Sequence, residues 1–191
     1  MTDNIDAGEM AAKEMLTMLH DAGNSPQEPL AVGILLSSDA SQAMVNRVSG
    51  FLDYWAKYAP TKWEITKDIA LNGGDVEKAE SDAAKLLKKN ENIKEIYGCN
   101  NTSTVGIAKT LTKQKRTDIV MVGFDMAEET KQFIKDPDYR GVSLMQKQDQ
   151  MGYLGIGTLN SLINGKKSEQ KYFDTGVIMI DSDYLMEKGV S

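Results

Sequence analysis

The chain has 191 residues, with 22 basic and 28 acidic side chains and a formal net charge of −6. Apolar residues make up 41% and charged residues 26%, the balance of a folded domain rather than a disordered one. The acidic surplus argues against a nucleic-acid partner. The densest basic spots, Lys88-Lys89 and residues 113–116, close helical patterns, where the helix dipole favours cations. Cys99 is the single cysteine, which excludes an internal disulfide and any metal site built on several cysteines. No apolar run approaches the ~18 residues that a membrane span needs. Residues 1–8 are polar and acidic, unlike a secretory signal, so a signal for export would have to precede this sequence.

Taken in chain order, helical and strand-like segments alternate. Ala12, Met15, Leu16 and Leu19 fall at i, i+3, i+4 and i+7 and predict an amphipathic helix. Leu30–Leu36 is a short apolar run and predicts a buried strand. Met44, Val48, Phe51, Leu52 and Trp55 predict a second helix, and residues 63–70 alternate like a strand. Val76, Ala79, Ala83 and Leu86 predict a helix capped by Asp75, followed by a strand at 93–97. A shorter stripe of Ile107, Ala108 and Leu111 precedes a strand at 118–123. A helix at 127–134 and a strand at 141–145 follow. Met151, Leu154, Leu159 and Leu162 form the last long helical stripe, closed by Asn164-Gly165 as a C-cap pair, and a strand at 175–180 ends the series. This alternation predicts a three-layer α-β-α domain around a mainly parallel sheet of about six strands, with no linker dividing it.

Parallel sheets of this kind take ligands at the carboxyl ends of their strands. Ser37-Ser38-Asp39 follows the first strand, ahead of a helix carrying Arg47, and Asn72-Gly73-Gly74-Asp75 follows the second. Cys99-Asn100 follows the third, Phe124-Asp125 the fourth and Gln146 the fifth. Arg47, Asn100, Asp125 and Gln146 are therefore the candidate ligand-binding residues, with Asp39 as a possible fifth. Planar side chains with paired donors or acceptors suit a polyhydroxylated ligand, because each can hold two hydroxyls in fixed geometry. Each also has a plainer role open to it: Arg47 as a surface ion-pair partner, Asn100 as the cap of a helix beginning near Ser103, Asp125 as the cap of the 127–134 helix, Gln146 as a loop residue, and Asp39 as an ordinary turn former.

Enzyme constellations are poor. His20, the single histidine, falls near the end of the first helix, where it reads as a surface residue favoured by the dipole. Cys99 has no histidine base nearby and reads as a buried structural thiol. No phosphate loop is present, and no Gly-rich dinucleotide fingerprint follows the first strand. Gly152, Gly155 and Gly157 read as close helix packing. No catalytic residue, no metal site and no cofactor is expected.

The chain resembles the type I periplasmic sugar-binding proteins, the substrate-binding components of ABC sugar importers, with the ribose-binding type most similar; LacI-type effector domains share the fold. The resemblance rests on Thr2-Asp3-Asn4 with Ala7-Gly8, Arg47-Val48-Ser49-Gly50-Phe51, and Asn100 to Gly106 opening a helix. Val122-Gly123-Phe124-Asp125, Gln146 followed by Asp149-Gln150-Met151-Gly152-Tyr153, and Asp174-Thr175-Gly176-Val177 complete it. The resemblance implies a non-enzymatic protein that traps a sugar between two lobes by hinge closure and then docks on a membrane permease, outside the cytoplasm. It also implies that Arg47, Asn100, Asp125 and Gln146 contact the sugar. Gly74 departs from the pattern, standing where the ribose-binding type offers a stacking phenylalanine.

Two lobes of roughly 100–150 residues each do not fit in this length, so residues 1–191 are expected to form a single lobe with weak affinity of its own; the resemblance implies that it is the C-terminal one, since position 1 falls where the family's chain first crosses into its second lobe. The resemblance also implies that the helix at 149–164 packs on the other lobe. Left without that partner, its apolar stripe predicts a dimer or a swapped helix. The alternative functions are the effector domain of a LacI-type regulator, or a sugar or autoinducer sensor.

Overall fold

The computed structural model describes residues 1–167 and 170–189. Strands β1 (Leu30–Leu36), β4 (Ile93–Gly98), β5 (Val120–Phe124) and β6 (Arg140–Gln146) form the parallel centre of a seven-stranded sheet. Along β1 the short strands β2 (Trp63–Ile65) and β3 (Ala70–Leu71) share one edge, and β7 (Val177–Ile180) closes the other edge antiparallel to β6. The predicted strand at 63–70 is thus two pieces. Thr66 still donates its N–H to the Val32 carbonyl, after which the chain leaves the edge and rejoins it at Ala70. An alternating polar edge does not need continuous pairing, and the break costs no buried hydrogen bond.

Helices α1 (Asn4–Asp21) and α2 (Gln42–Tyr58) cover one face of the sheet. Helices α3 (Val76–Lys89), α4 (Asn101–Gln114) and α5 (Glu128–Lys135) cover the other. The pleat of β1 sorts its side chains: Leu30, Val32, Ile34 and Leu36 pack under α1 and α2, while Ala31 and Leu35 pack under α3 and α4. Asp75 caps α3 as expected, accepting the Lys78 N–H at 2.7 Å. His20 lies exposed in the last turn of α1 against the Trp63 ring, and Cys99 is fully buried. The short helix α7 (Ser182–Glu187) packs beside β7.

Helix α6 (Gln148–Ile163) has no buried residue. Tyr153 (80% exposed), Ile156 (73%) and Ile163 (75%) project freely, as do Leu159 and Leu162, while Met151 and Leu154 are half-buried. The apolar surface is wider than the four-residue stripe in the sequence, because α6 after Asp149 has no charged side chain on any face. Gly152, Gly155 and Gly157 open onto space, so close helix packing is not their role among the described residues. The chain leaves the sheet for α6 through Lys147 and returns at Asp174, beside the N-terminal segment: Thr175 donates its N–H to the Met1 carbonyl, and Asp3 donates its N–H to the Asp174 carboxylate at 2.8 Å.

Candidate functional site

The carboxyl ends of β4, β5 and β6 bring Asn100, Asp125 and Gln146 to one edge of the sheet, and α2 lowers Arg47 onto the same edge. Arg47 is 3% exposed. Its guanidinium carbon lies 3.5 Å from the centroid of the Phe124 ring, Nε donates to Asn4 Oδ1 at 2.9 Å, and Nη1 donates to the Cys99 carbonyl at 2.8 Å. A surface ion pair is therefore not its role. Burial pulls the guanidinium pKa down, and Tyr97, Asp125 and Cys99 push it back up; an arginine remains charged throughout.

Asp125 follows β5 in the left-handed backbone region, at φ 62°. Aspartate tolerates this region at modest cost, and such strain in a non-glycine residue points to function. The conformation is held on both sides: Asp125 donates its N–H to the Leu144 carbonyl at 2.8 Å, and its own carbonyl accepts from the Ser143 hydroxyl at 2.5 Å. Its carboxylate accepts from Gln146 Nε2 at 3.2 Å. The helix that follows starts at Glu128 with Ala127 as N-cap, so Asp125 caps nothing. Asn100 is the N-cap residue of α4, which begins two residues earlier than the sequence suggests. Its side chain makes no cap bond; instead Oδ1 accepts from the Ser103 hydroxyl at 2.6 Å. Ser103 in turn accepts from the buried Asn72 amide at 2.7 Å. Asp39 lies exposed in the β1–α2 loop, and Gly74 sits at φ 81°, where an added Cβ would meet nothing within 4 Å.

These bonds leave a defined remainder among the described residues. Arg47 Nη2 and Asn100 Nδ2 are donors without a partner, and Asp125 Oδ2 and Gln146 Oε1 are acceptors without one. Two donors and two acceptors on one edge match a molecule carrying several hydroxyls, each of which both gives and accepts.

Two further residues shape the site that the sequence offered only as parts of longer motifs, not as candidate site residues. Asn4, at the start of α1, holds Arg47. Thr104 in α4 takes the Phe124 N–H onto its hydroxyl at 2.8 Å and lies 3.0 Å from the Asn100 carbonyl, so it ties the ends of β4 and β5 together. Gly98 and Gly123 make room for it: a Cβ at Gly123 would stand 2.2 Å from the Thr104 methyl group, and one at Gly98 2.8 Å from its hydroxyl. Glycines at two neighbouring strand ends were the signal in the sequence. Beneath Arg47 the Tyr97 hydroxyl is fully buried without a partner, and burial, then Cys99, pushes its pKa well up. Burial likewise pushes the Cys99 thiol far above its ordinary value, which leaves it inert. Among the described residues no cluster of His, Cys, Asp and Glu could hold a metal ion.

The ribose import binding protein of Escherichia coli (strain K12) is 24% identical over 87 residues, a stretch covering 46% of this chain and 29% of that protein. An ABC transporter solute binding protein from Agrobacterium vitis, solved with bound D-fucose, is similar over 96% of this chain and 60% of its own, at 26% identity and a TM-score of 0.82. A carbohydrate transporter solute binding protein from Agrobacterium radiobacter, in complex with D-arabinose, is similar over 99% of this chain and 62% of its own, at 23% identity and a TM-score of 0.86. The chain thus spans 60% and 62% of the length of these two solved structures. The fold is the one the alternation of strands and helices predicts, with seven strands for about six. Residues 1–167 match the periplasmic binding protein domain, and the chain belongs to that family.

Proposed function

We propose that this chain binds a sugar as one lobe of the substrate-binding component of an ABC sugar importer, without catalysing a reaction. The observation that carries this reading is the set of unspent hydrogen-bonding groups on Arg47, Asn100, Asp125 and Gln146, gathered at the carboxyl edge of a parallel sheet. Arg47 and Asn100 donate to sugar hydroxyls, Asp125 accepts from them, and Gln146 accepts while steadying Asp125. Asp39, exposed in the β1–α2 loop, is a further contact in this reading. The bound sugars of the D-fucose and D-arabinose complexes support the ligand class. In this reading α6 packs on a second lobe, and the segments at 1–3, 146–148 and 173–176, which lie side by side, are the crossings about which the lobes close. The closed form docks on a membrane permease outside the cytoplasm. Where the second lobe is lacking, two copies cover their α6 helices by a dimer or a helix swap.

A thermal-shift screen of the full two-lobed protein against pentoses, hexoses, inositol and autoinducer-type diols tests the reading. A sugar at 100-fold its dissociation constant adds about 2.7 kcal/mol of stability. The expected result is a shift with at least one sugar that Asp125→Ala abolishes. A well-folded chain that shifts with none of them, or whose shift survives Asp125→Ala, overturns it.

A further inference from the structure

The Arg47 guanidinium is anchored from three directions, and two of the anchors are not free to vary. The Cys99 carbonyl belongs to the end of β4 and the Phe124 ring to the end of β5, both buried in the sheet. The third is the Asn4 side chain, 43 residues away in sequence at the first turn of α1. Asn4 is itself held in place, because its Nδ2 donates to the Thr2 carbonyl at 3.2 Å and so turns Oδ1 toward Arg47 Nε. Asp3 caps α1 through the N–H groups of Ile5 and Asp6, so the Asn4 side chain is not needed as a cap. Without Asn4, the guanidinium would keep its seat on Phe124 and its Nη1 bond to the Cys99 carbonyl, but with one hydrogen bond in place of two it could swing over the ring about that bond, and Nη2 would lose its fixed direction.

We propose that Asn4 is the positioning residue for Arg47: it fixes how the guanidinium is turned over the Phe124 ring, so that Nη2 points at the ligand. This rests on the reading of Arg47 as a sugar contact. Asn4 follows directly on the 1–3 segment, so the anchor ties the ligand-facing arginine to the chain crossing as well as to the sheet.

The chain has three arginines, Arg47, Arg116 and Arg140, so the Hε resonance of Arg47 can be assigned by loss in Arg47→Lys. Hydrogen exchange at this proton is compared in the unaltered chain, Asn4→Ala and Asn4→Asp, together with affinity for whichever of D-ribose, D-arabinose and D-fucose gives the largest melting shift. Asn4→Ala is expected to speed Arg47 Hε exchange and to weaken sugar binding by about tenfold, the worth of one hydrogen bond to a charged group. Asn4→Asp retains the acceptor and restores both, whereas Asn4→Ala also lowers the melting temperature without sugar, because the buried Arg47 Nε is left without its acceptor. Unchanged exchange in Asn4→Ala overturns the proposal, and so does faster exchange with undiminished affinity where Arg47→Ala abolishes binding. If Arg47→Ala itself leaves affinity intact, the sugar-contact reading fails instead. The exchange measurement needs no sugar and decides the anchor by itself.

Discussion

Gly8 of α1 and Arg47 of α2 meet backbone to backbone: a Cβ on Gly8 would lie 2.1 Å from the Arg47 carbonyl oxygen. Gly50 repeats the contact one turn on, where a Cβ would lie 2.1 Å from the Ile5 carbonyl oxygen. Two helices without side chains between them approach as closely as backbones allow. That approach brings Arg47 down onto Phe124 and within reach of Asn4.

Gly8→Ala must therefore push α1 and α2 apart, since backbone atoms cannot step aside as a flexible side chain would. The expected loss is about 1–3 kcal/mol, read from urea unfolding. Sugar affinity should fall as well, because Arg47 moves with its backbone. A variant as stable as the unaltered chain contradicts the close approach.

Thr104→Val keeps the shape of the side chain and removes the hydroxyl. The buried Phe124 N–H then has no acceptor, at a cost of about 1–3 kcal/mol. Because Phe124 directly precedes Asp125, the same variant should weaken sugar binding. Full stability in Thr104→Val contradicts the assignment of Thr104 as the tie between β4 and β5.

Glu95 sits in the middle of β4, fully buried, with neither carboxylate oxygen bonded. Its neighbours along the sheet are Val32 of β1 and Val120 of β5. Burial raises its pKa well above the ordinary 4.5, and the charge of Glu14 on α1 raises it further. Glu14 is itself raised, by burial first, then by Asp181 and Asp21 against the opposing Lys13. A carboxyl raised in the folded state contributes stability that is full below its unfolded value and is lost as pH rises through its folded value. Stability should therefore fall with pH from about 4.5 upward, by at most about 1.4 kcal/mol per pH unit for one proton. Glu95→Gln should flatten the dependence, leaving a smaller slope from Glu14. Denaturation midpoints at a series of pH values decide this, and equal slopes in the two chains refute it.

The exposed face of α6 yields a prediction about association. Ile156→Lys with Leu159→Lys should leave stability within about 0.5 kcal/mol, as for surface substitutions generally, because neither side chain is buried. Sedimentation velocity should show the unaltered chain associating with rising concentration and the double variant staying monomeric. A monomer at high concentration without the substitutions removes the dimer.

Much of this architecture was legible because it follows from local pattern. Short apolar runs bounded by turn residues marked the strands, and the first polar residues after them were, by the geometry of parallel sheets, the ones at the carboxyl edge. That logic reached Asn100, Asp125 and Gln146, and Arg47 through the helix that follows β1. It could not reach Asn4, whose partner is 43 positions away, or the left-handed backbone of Asp125, which is imposed by hydrogen bonds from β6. Nor did it distinguish the interrupted edge at 63–70 from a continuous strand, since an exposed edge alternates whether or not it is paired. Glu95 was hidden for the opposite reason. A charged residue inside a buried strand contradicts the pattern, and the pattern says nothing about how it is accommodated.

The central claim is that Arg47, Asn100, Asp125 and Gln146 together hold a sugar. The most direct measurement is an NMR titration of the chain with the sugar that gives the largest melting shift, following the Arg47 Hε and the side-chain amide signals of Asn100 and Gln146. These three signals should shift together and saturably, while Asn164 on the far end of α6 does not move. Shifts confined to another surface, or three signals that stay still while the sugar binds, would contradict the claim.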